Sequence, residues 1–201
     1  AFTGSAASGG FAGATIWMAI RFGVSRGVFS NEAGLGSSPI AHAAARTNSP
    51  IKQGSVSMLE PLIDTIIVCT ITAFVILLSQ SWLSGVNGAA LTPNAYEQGL
   101  PSIGKYIVIF GLVLFAFSTI IGWSYYGEKC AEFIFGNRVI MPYRIFWIII
   151  IPVGAVIELN LVWLIADIMN ALMALPNLIG LIFLSGVVVR ETNDFFGKTR
   201  R

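Results

Sequence analysis

The sequence predicts an all-α integral membrane fold, and three observations carry that expectation. Apolar residues fill 55% of its 201 positions and charged residues only 11%, against about 25% charged in a soluble domain. Several apolar runs approach or exceed the roughly 20 residues that cross a bilayer as helix. Basic residues gather in alternate connections between those runs, as the positive-inside rule requires. A soluble fold needs a polar shell that this composition does not supply. The net charge of +2 is too small to attract nucleic acid, and the only basic cluster is a short tail of Lys198, Arg200 and Arg201.

Residues 1–22 read as a partial, broken transmembrane helix. The apolar run at 9–22 carries Gly9, Gly10 and Gly13 and is shorter than a bilayer crossing. The chain opens on Ala1 without the charged and apolar regions of a signal peptide, so this end reads as a cut through a longer chain. Residues 23–58 read as a cytoplasmic connection. They are small, Gly-rich and too apolar for a disordered linker. Short helices are expected there, one of them in GSSPIAHAAAR with Pro39 near its start. Ser30 is placed to cap a following turn, and Glu32 to favour its N-terminus.

Residues 59–190 read as four transmembrane helices, with apolar runs at 61–83, 103–126, 143–157 and 159–189. Pro152 is expected to bend the third of these, and Pro176 with Asn177 to kink or break the fourth. Residues 191–201 are left as a cytoplasmic tail. Orientation follows from the connections. Arg26, Arg46 and Lys52 mark one as cytoplasmic; Lys129, Arg138 and Arg144 mark another; Arg190 and the basic tail mark the C-terminus. The intervening connections are poor in Lys and Arg. Trp82 fits an outer aromatic belt, and Trp123, Tyr125 and Tyr126 an inner one.

No hydrolytic or redox constellation occurs. Cys69 and Cys130 stand far apart without metal-ligand spacing. Cys69 reads as helix packing, and His42 is the sole histidine. Chemistry is sought instead in polar residues within apolar runs, which are costly in lipid. Asp64 either lines an ion route or sits at the interface near a helix start. Ser118 and Thr119 are adjacent hydroxyls that can offer oxygen to a hard cation. They can equally bond back to their own helix or join two helices. Asp167 and Asn170, three apart, share a helix face. The opening AFTGSAASGGFAGAT has small residues and hydroxyls where loosened backbone would meet a substrate, or where a small-residue helix seam would pack.

The stretches AFTGSAASGGFAGA, RGVFSNEAGLGSSPIAHAAA, DTIIVCTITA, FAFSTIIGWSYYGE and ADIMNALMALPNLIGL resemble the alanine/glycine:cation symporter family over nearly the whole chain. The resemblance implies an incomplete LeuT-like inverted-repeat fold, of which this chain would be the second repeat, with an N-terminal half of the same protein missing. It implies sodium-driven uptake of a small neutral amino acid, alanine or glycine, across the plasma membrane, with no cofactor and no enzymatic step. The broken helix would then bring Thr3, Gly9, Gly10, Phe11 and Gly13 to the substrate. Ser118 and Thr119 would hold sodium. Ser30, Asn31, Glu32, Asp64, Asp167 and Asn170 would serve gating or packing. The rival expectations are proton coupling through Asp64 or Asp167, and a membrane scaffold subunit that transports nothing.

Overall fold

A computed structural model describes the backbone of residues 4–86 and 88–199 and the side chains of 15–86 and 88–197. Among the described residues every regular element is helical. Helix α1 spans Gly4–Asn31 without interruption. From Gly4 onward the expected break at 3–13 is therefore absent, and the segment continues well past Phe22. Each helical glycine costs about 1 kcal/mol relative to alanine. A break in apolar surroundings costs more, because freed N–H and C=O groups then need outside partners, whereas an intact helix satisfies them itself.

The end of α1 is written in its sequence. Asn31 Oδ1 accepts the Ala33 amide at 2.9 Å, and Glu32 turns left-handed at φ +53°, so the helix ladder stops there. Ser30 accordingly lies in the last turn of α1, not ahead of a new helix, and Glu32 follows a C-terminus instead of favouring an N-terminus. Helix α2 covers Ser38–His42, with Pro39 in its first turn. Helix α3 runs Pro50–Leu78 and so begins earlier than the apolar run predicts. Ser49 caps it by accepting the Lys52 amide, with Pro50 in the first turn, where a missing N–H costs nothing.

Within α3, Leu62–Val68 is a π-helical stretch, closed by the Cys69 amide on the Asp64 carbonyl. It follows Pro61 directly. Proline supplies no N–H and crowds the preceding turn, and one wide turn lets the chain absorb that conflict without stopping. Helix α4 covers Leu91–Gly99, α5 Gly104–Phe135, α6 Ile140–Val156 and α7 Leu159–Thr199. Pro152 and Pro176 lie inside α6 and α7. No break at Pro176 divides α7, and its 41 residues carry it through most of the expected tail.

Among the described residues four helices are long and apolar enough to cross a membrane: Pro50–Leu78, Gly104–Phe135, Asn137–Val156 and Leu159–Gly197. Their apolar windows are 0% buried within the chain, and Phe110, Phe115 and Phe183 are 67%, 67% and 82% exposed. Water does not tolerate that much contiguous apolar surface; the protein is a multi-pass membrane protein. Cys69, expected as packing, is also exposed.

The chain divides into two units, residues 1–38 with 163–201, and residues 39–162. In the second unit a cap of tight turns joins α3 to α5. Ser81, 2% exposed, accepts a bond from Gln98 Nε2 at 3.0 Å and shares another with the Ser79 hydroxyl at 2.8 Å. Ala95 on α4 is completely buried. The first residue of α5 is Gly104, whose absent β-carbon would collide with the Tyr96 carbonyl. Further along, α5 and α6 are joined by a two-pronged bond from Arg144 to Glu128, at 2.6 and 2.9 Å.

Substituting Gly104→Ala forces backbone apart at the α4–α5 junction and should destabilise the protein by about 1–3 kcal/mol. Gly111→Ala meets nothing within 4 Å and should leave the thermal midpoint of the detergent-solubilised protein unchanged or slightly raised. Equal midpoints for the two variants would show that the junction is not packed this way.

Candidate functional site

The first unit is built around one face of α7. Trp163, Ala166, Asp167, Asn170, Met173, Ala174, Asn177 and Gly180 are half-buried, while most residues between them are exposed. The spacing of three and four makes this a single helical stripe. It carries an acid and two amides, and the second half of α1 meets it with complementary groups.

Asp167 Oδ1 accepts two bonds, from Ser25 Oγ and from Arg26 Nη1, both at 2.8 Å. The Arg26 guanidinium lies 3.7 Å over the Trp163 ring, and Phe29 meets the same ring edge-on at 6.0 Å. The cation is thus held by a carboxylate on one side and a π-face on the other, two attractions that act together. Their cause in sequence is simple. Residues 25, 26 and 29 fall on one side of α1, and Trp163 and Asp167, four apart, on one side of α7.

The loop after α1 continues the contact. Asn177 Nδ2 donates to the Gly34 carbonyl at 2.9 Å. Gly34 and Gly36 both adopt left-handed backbone, at φ +85° and +84°, which glycine reaches without penalty. Leu35 and Ser37 are 3% and 1% exposed. The block RGVFSNEAGLGS thus meets α7 through Arg26, Phe29 and the Gly34 carbonyl.

In the second unit, Ser118 and Thr119 stand exposed on α5. The Ser118 hydroxyl donates to the Phe115 carbonyl at 3.0 Å. That bond uses its proton and leaves oxygen lone pairs open. Asp64 lies in the π-helical stretch of α3, its Oδ2 buried without a hydrogen-bond partner. Trp123 and Tyr126 meet edge-on at 6.0 Å, so the expected aromatic belt is also a local cluster. Among the described residues no three His, Cys, Asp or Glu side chains gather as a metal cluster.

Of the residues singled out from sequence, Asp167 acquires partners on another element, but Ser25 and Arg26 in place of Asn170. Asn31 stops α1. Gly9, Gly10, Phe11 and Gly13 lie within continuous helix, and Thr3 lies outside the described residues. Arg26, expected in a cytoplasmic connection, sits inside α1 and opposite Asp167. The signal is present in the sequence: an acid within one apolar run and a base at the edge of another need each other. Asn177, expected only as part of a helix interruption, instead reaches out to the loop.

Comparison with known proteins gives a consistent picture. The model of the sodium:alanine symporter family matches residues 1–201. The sodium/alanine symporter AgcS of Methanococcus maripaludis is 53% identical over 192 residues, covering 94% of this chain and 42% of that protein. An uncharacterized transporter of Haemophilus influenzae is 50% identical over 202 residues, covering 100% of this chain and 44% of its own length. A probable sodium/glutamine symporter, GlnT of Bacillus subtilis, is 40% identical over 186 residues, covering 92% and 39%. The chain spans less than half the length of these relatives.

The Arg26–Asp167 pair should show a measurable but modest coupling. Its side chains are 32% and 36% exposed, so a double-mutant cycle of Arg26→Gln and Asp167→Asn, read in thermal midpoints of the purified protein, should give about 1 kcal/mol, the screened end of the range. Additive effects would mean that each charge is solvated independently.

Proposed function

Because the chain belongs to the sodium:alanine symporter family, we propose that it forms part of a secondary active transporter that couples inward sodium flux to uptake of a small neutral amino acid, alanine or glycine. The end-to-end match to that family carries the proposal. Polar groups within its apolar helices support it. The chain would supply the second repeat of a LeuT-like inverted-repeat fold in the plasma membrane, with its C-terminus cytoplasmic.

In this reading Ser118 and Thr119 offer oxygen to sodium. A hard cation takes oxygen ligands, and a hydroxyl that donates to its own helix still presents lone pairs outward. The glycines of α1, Gly9, Gly10 and Gly13, let a small substrate approach helix backbone where larger side chains would exclude it. Thr3 and Phe11 complete the proposed substrate contacts. The corrected α1 means that any such contact is made on helix surface, not at a break beyond Gly4. Ser30, Asn31, Glu32, Asp64, Asp167 and Asn170 serve packing or gating, each within its own unit.

The driving force is physical. Inward movement of one positive charge through 100 mV releases about 2.3 kcal/mol. Coupling requires sodium and substrate to strengthen each other's binding by the same factor.

The test is uptake in proteoliposomes holding this chain in its complete reading frame. Ser118→Ala with Thr119→Ala should raise the sodium concentration for half-maximal uptake about tenfold, equivalent to about 1.4 kcal/mol, at normal protein abundance. Uptake that ignores sodium and follows pH would replace sodium by the proton, with Asp64 the residue to examine. Loss of abundance alone would make the pair a structural one and favour a scaffold.

A further inference from the structure

The sequence block RGVFSNEAGLGS is larger than any role the transport reading gives it, and its second half meets α7 chiefly at one side chain. Asn177 follows Pro176, which has no N–H to offer the carbonyl four residues before it. Beside that turn the Asn177 side chain reaches out, and its Nδ2 donates to the Gly34 carbonyl at 2.9 Å. A β-carbon on Gly36 would stand 3.0 Å from Asn177 Oδ1, 3.1 Å from Cγ and 3.3 Å from Cβ. One on Gly34 would lie 3.9 Å from Leu178 Cδ2. The loop thus closes over the Asn177 side chain from both glycines, and Leu35 and Ser37 are buried as it does so.

We propose that Asn177 is a positioning residue: it docks the loop 32–37 on α7, so that the loop and α7 move together. The consequence for transport rests on the reading above; the docking does not. Three features make the assignment specific. The hydrogen bond runs from a side chain to a backbone carbonyl, so it fixes the loop's path whatever its side chains. The left-handed glycines cannot be exchanged for other residues without strain. And the contact is separate from the Arg26–Asp167 pair, so it can be removed by itself.

Ser37 supplies a direct reporter. Its hydroxyl is buried without a hydrogen-bond partner, so Ser37→Cys exchanges oxygen for sulfur without losing a bond. The exposed Cys69 and Cys130 are first replaced by serine. With Asn177 in place, the new thiol should resist N-ethylmaleimide in membranes. In Asn177→Ala its labelling rate should rise about tenfold or more, as local opening becomes easier. Asn177→Asp keeps the shape but loses the donor and should label like the alanine variant. Gly36→Ala crowds the same contact from the loop side and should do so too, which keeps the question open to test if Asn177→Ala fails to accumulate.

In uptake assays Asn177→Ala should lower the maximal rate about fivefold while half-saturation for substrate shifts less than about twofold, the pattern of a lost step, not lost binding. Equal labelling of the introduced thiol with and without the Asn177 side chain would overturn the docking, as would full protection by Asn177→Asp. An unchanged maximal rate in an undocked variant would overturn the positioning role. Labelling reads the loop directly, so it stands or falls independently of whether sodium drives uptake.

Discussion

A polar group inside an apolar helix has to find its partner within the protein, and this constraint organises the chain more than burial does. Its spans have almost no interior of their own. Leu35, Pro93 and Ala95 are buried apolar residues, and few others among those described join them, so a conventional hydrophobic core cannot explain which helix faces which. What distinguishes one face of α7 from the other is a set of groups that lipid would not accept: an acid, two amides and an indole. Arg26, Ser25 and the Gly34 carbonyl answer them from α1 and its loop. The ion pair, about a third exposed, is worth about 1 kcal/mol, close to the roughly 0.6 kcal/mol typical of a neutral interhelical bond. It sets the register together with the Trp163 and Asn177 contacts.

The same constraint explains what could be read from the sequence and what could not. Membrane class, the long apolar helices and the helix near Pro39 were legible because hydropathy and proline act locally. The length of α1 was not. Gly9, Gly10 and Gly13 lower helix propensity, and propensity argues for a break; but in the absence of polar partners the unbroken ladder is the cheaper state. The π-helical turn after Pro61 was likewise hidden, since apolar composition is the same whether a helix has 3.6 residues per turn or slightly more. Asp167 stands out, because an acid in an apolar run is conspicuous. Its partner does not, because Arg26 stands at the margin of its run and counts equally well as a positive-inside residue. Asn177 is overshadowed by the proline beside it.

Ser118 and Thr119 illustrate how little a single hydrogen bond decides. The Ser118 hydroxyl donates back to its own helix, and by itself that resembles a residue with no further duty. Yet Ser185 does the same on α7, to the Ile182 carbonyl at 2.7 Å, and Thr192 to that of Val188 at 2.8 Å. Back-bonding is how hydroxyls are hidden in apolar helices wherever they occur. It removes a donor and leaves the acceptor, which is the half that a cation uses. The pair differs from Ser185 in being two hydroxyls on consecutive residues.

The two ties that bind α1 and its loop to α7 differ in kind: one is charged and the other neutral. Arg26 and Ser25 converge on a single oxygen of Asp167, and about a third of each charged side chain is exposed. The strength of this tie varies with local dielectric, ionic strength and any cation that approaches the carboxylate. The Asn177 tie is neutral, is flanked by the buried Leu35 and Ser37, and would be crowded at 3.0 Å by a methyl group on Gly36. It responds to shape and hardly to charge. Salt in the surroundings therefore acts on the first tie, while the second is set by the fit of the loop.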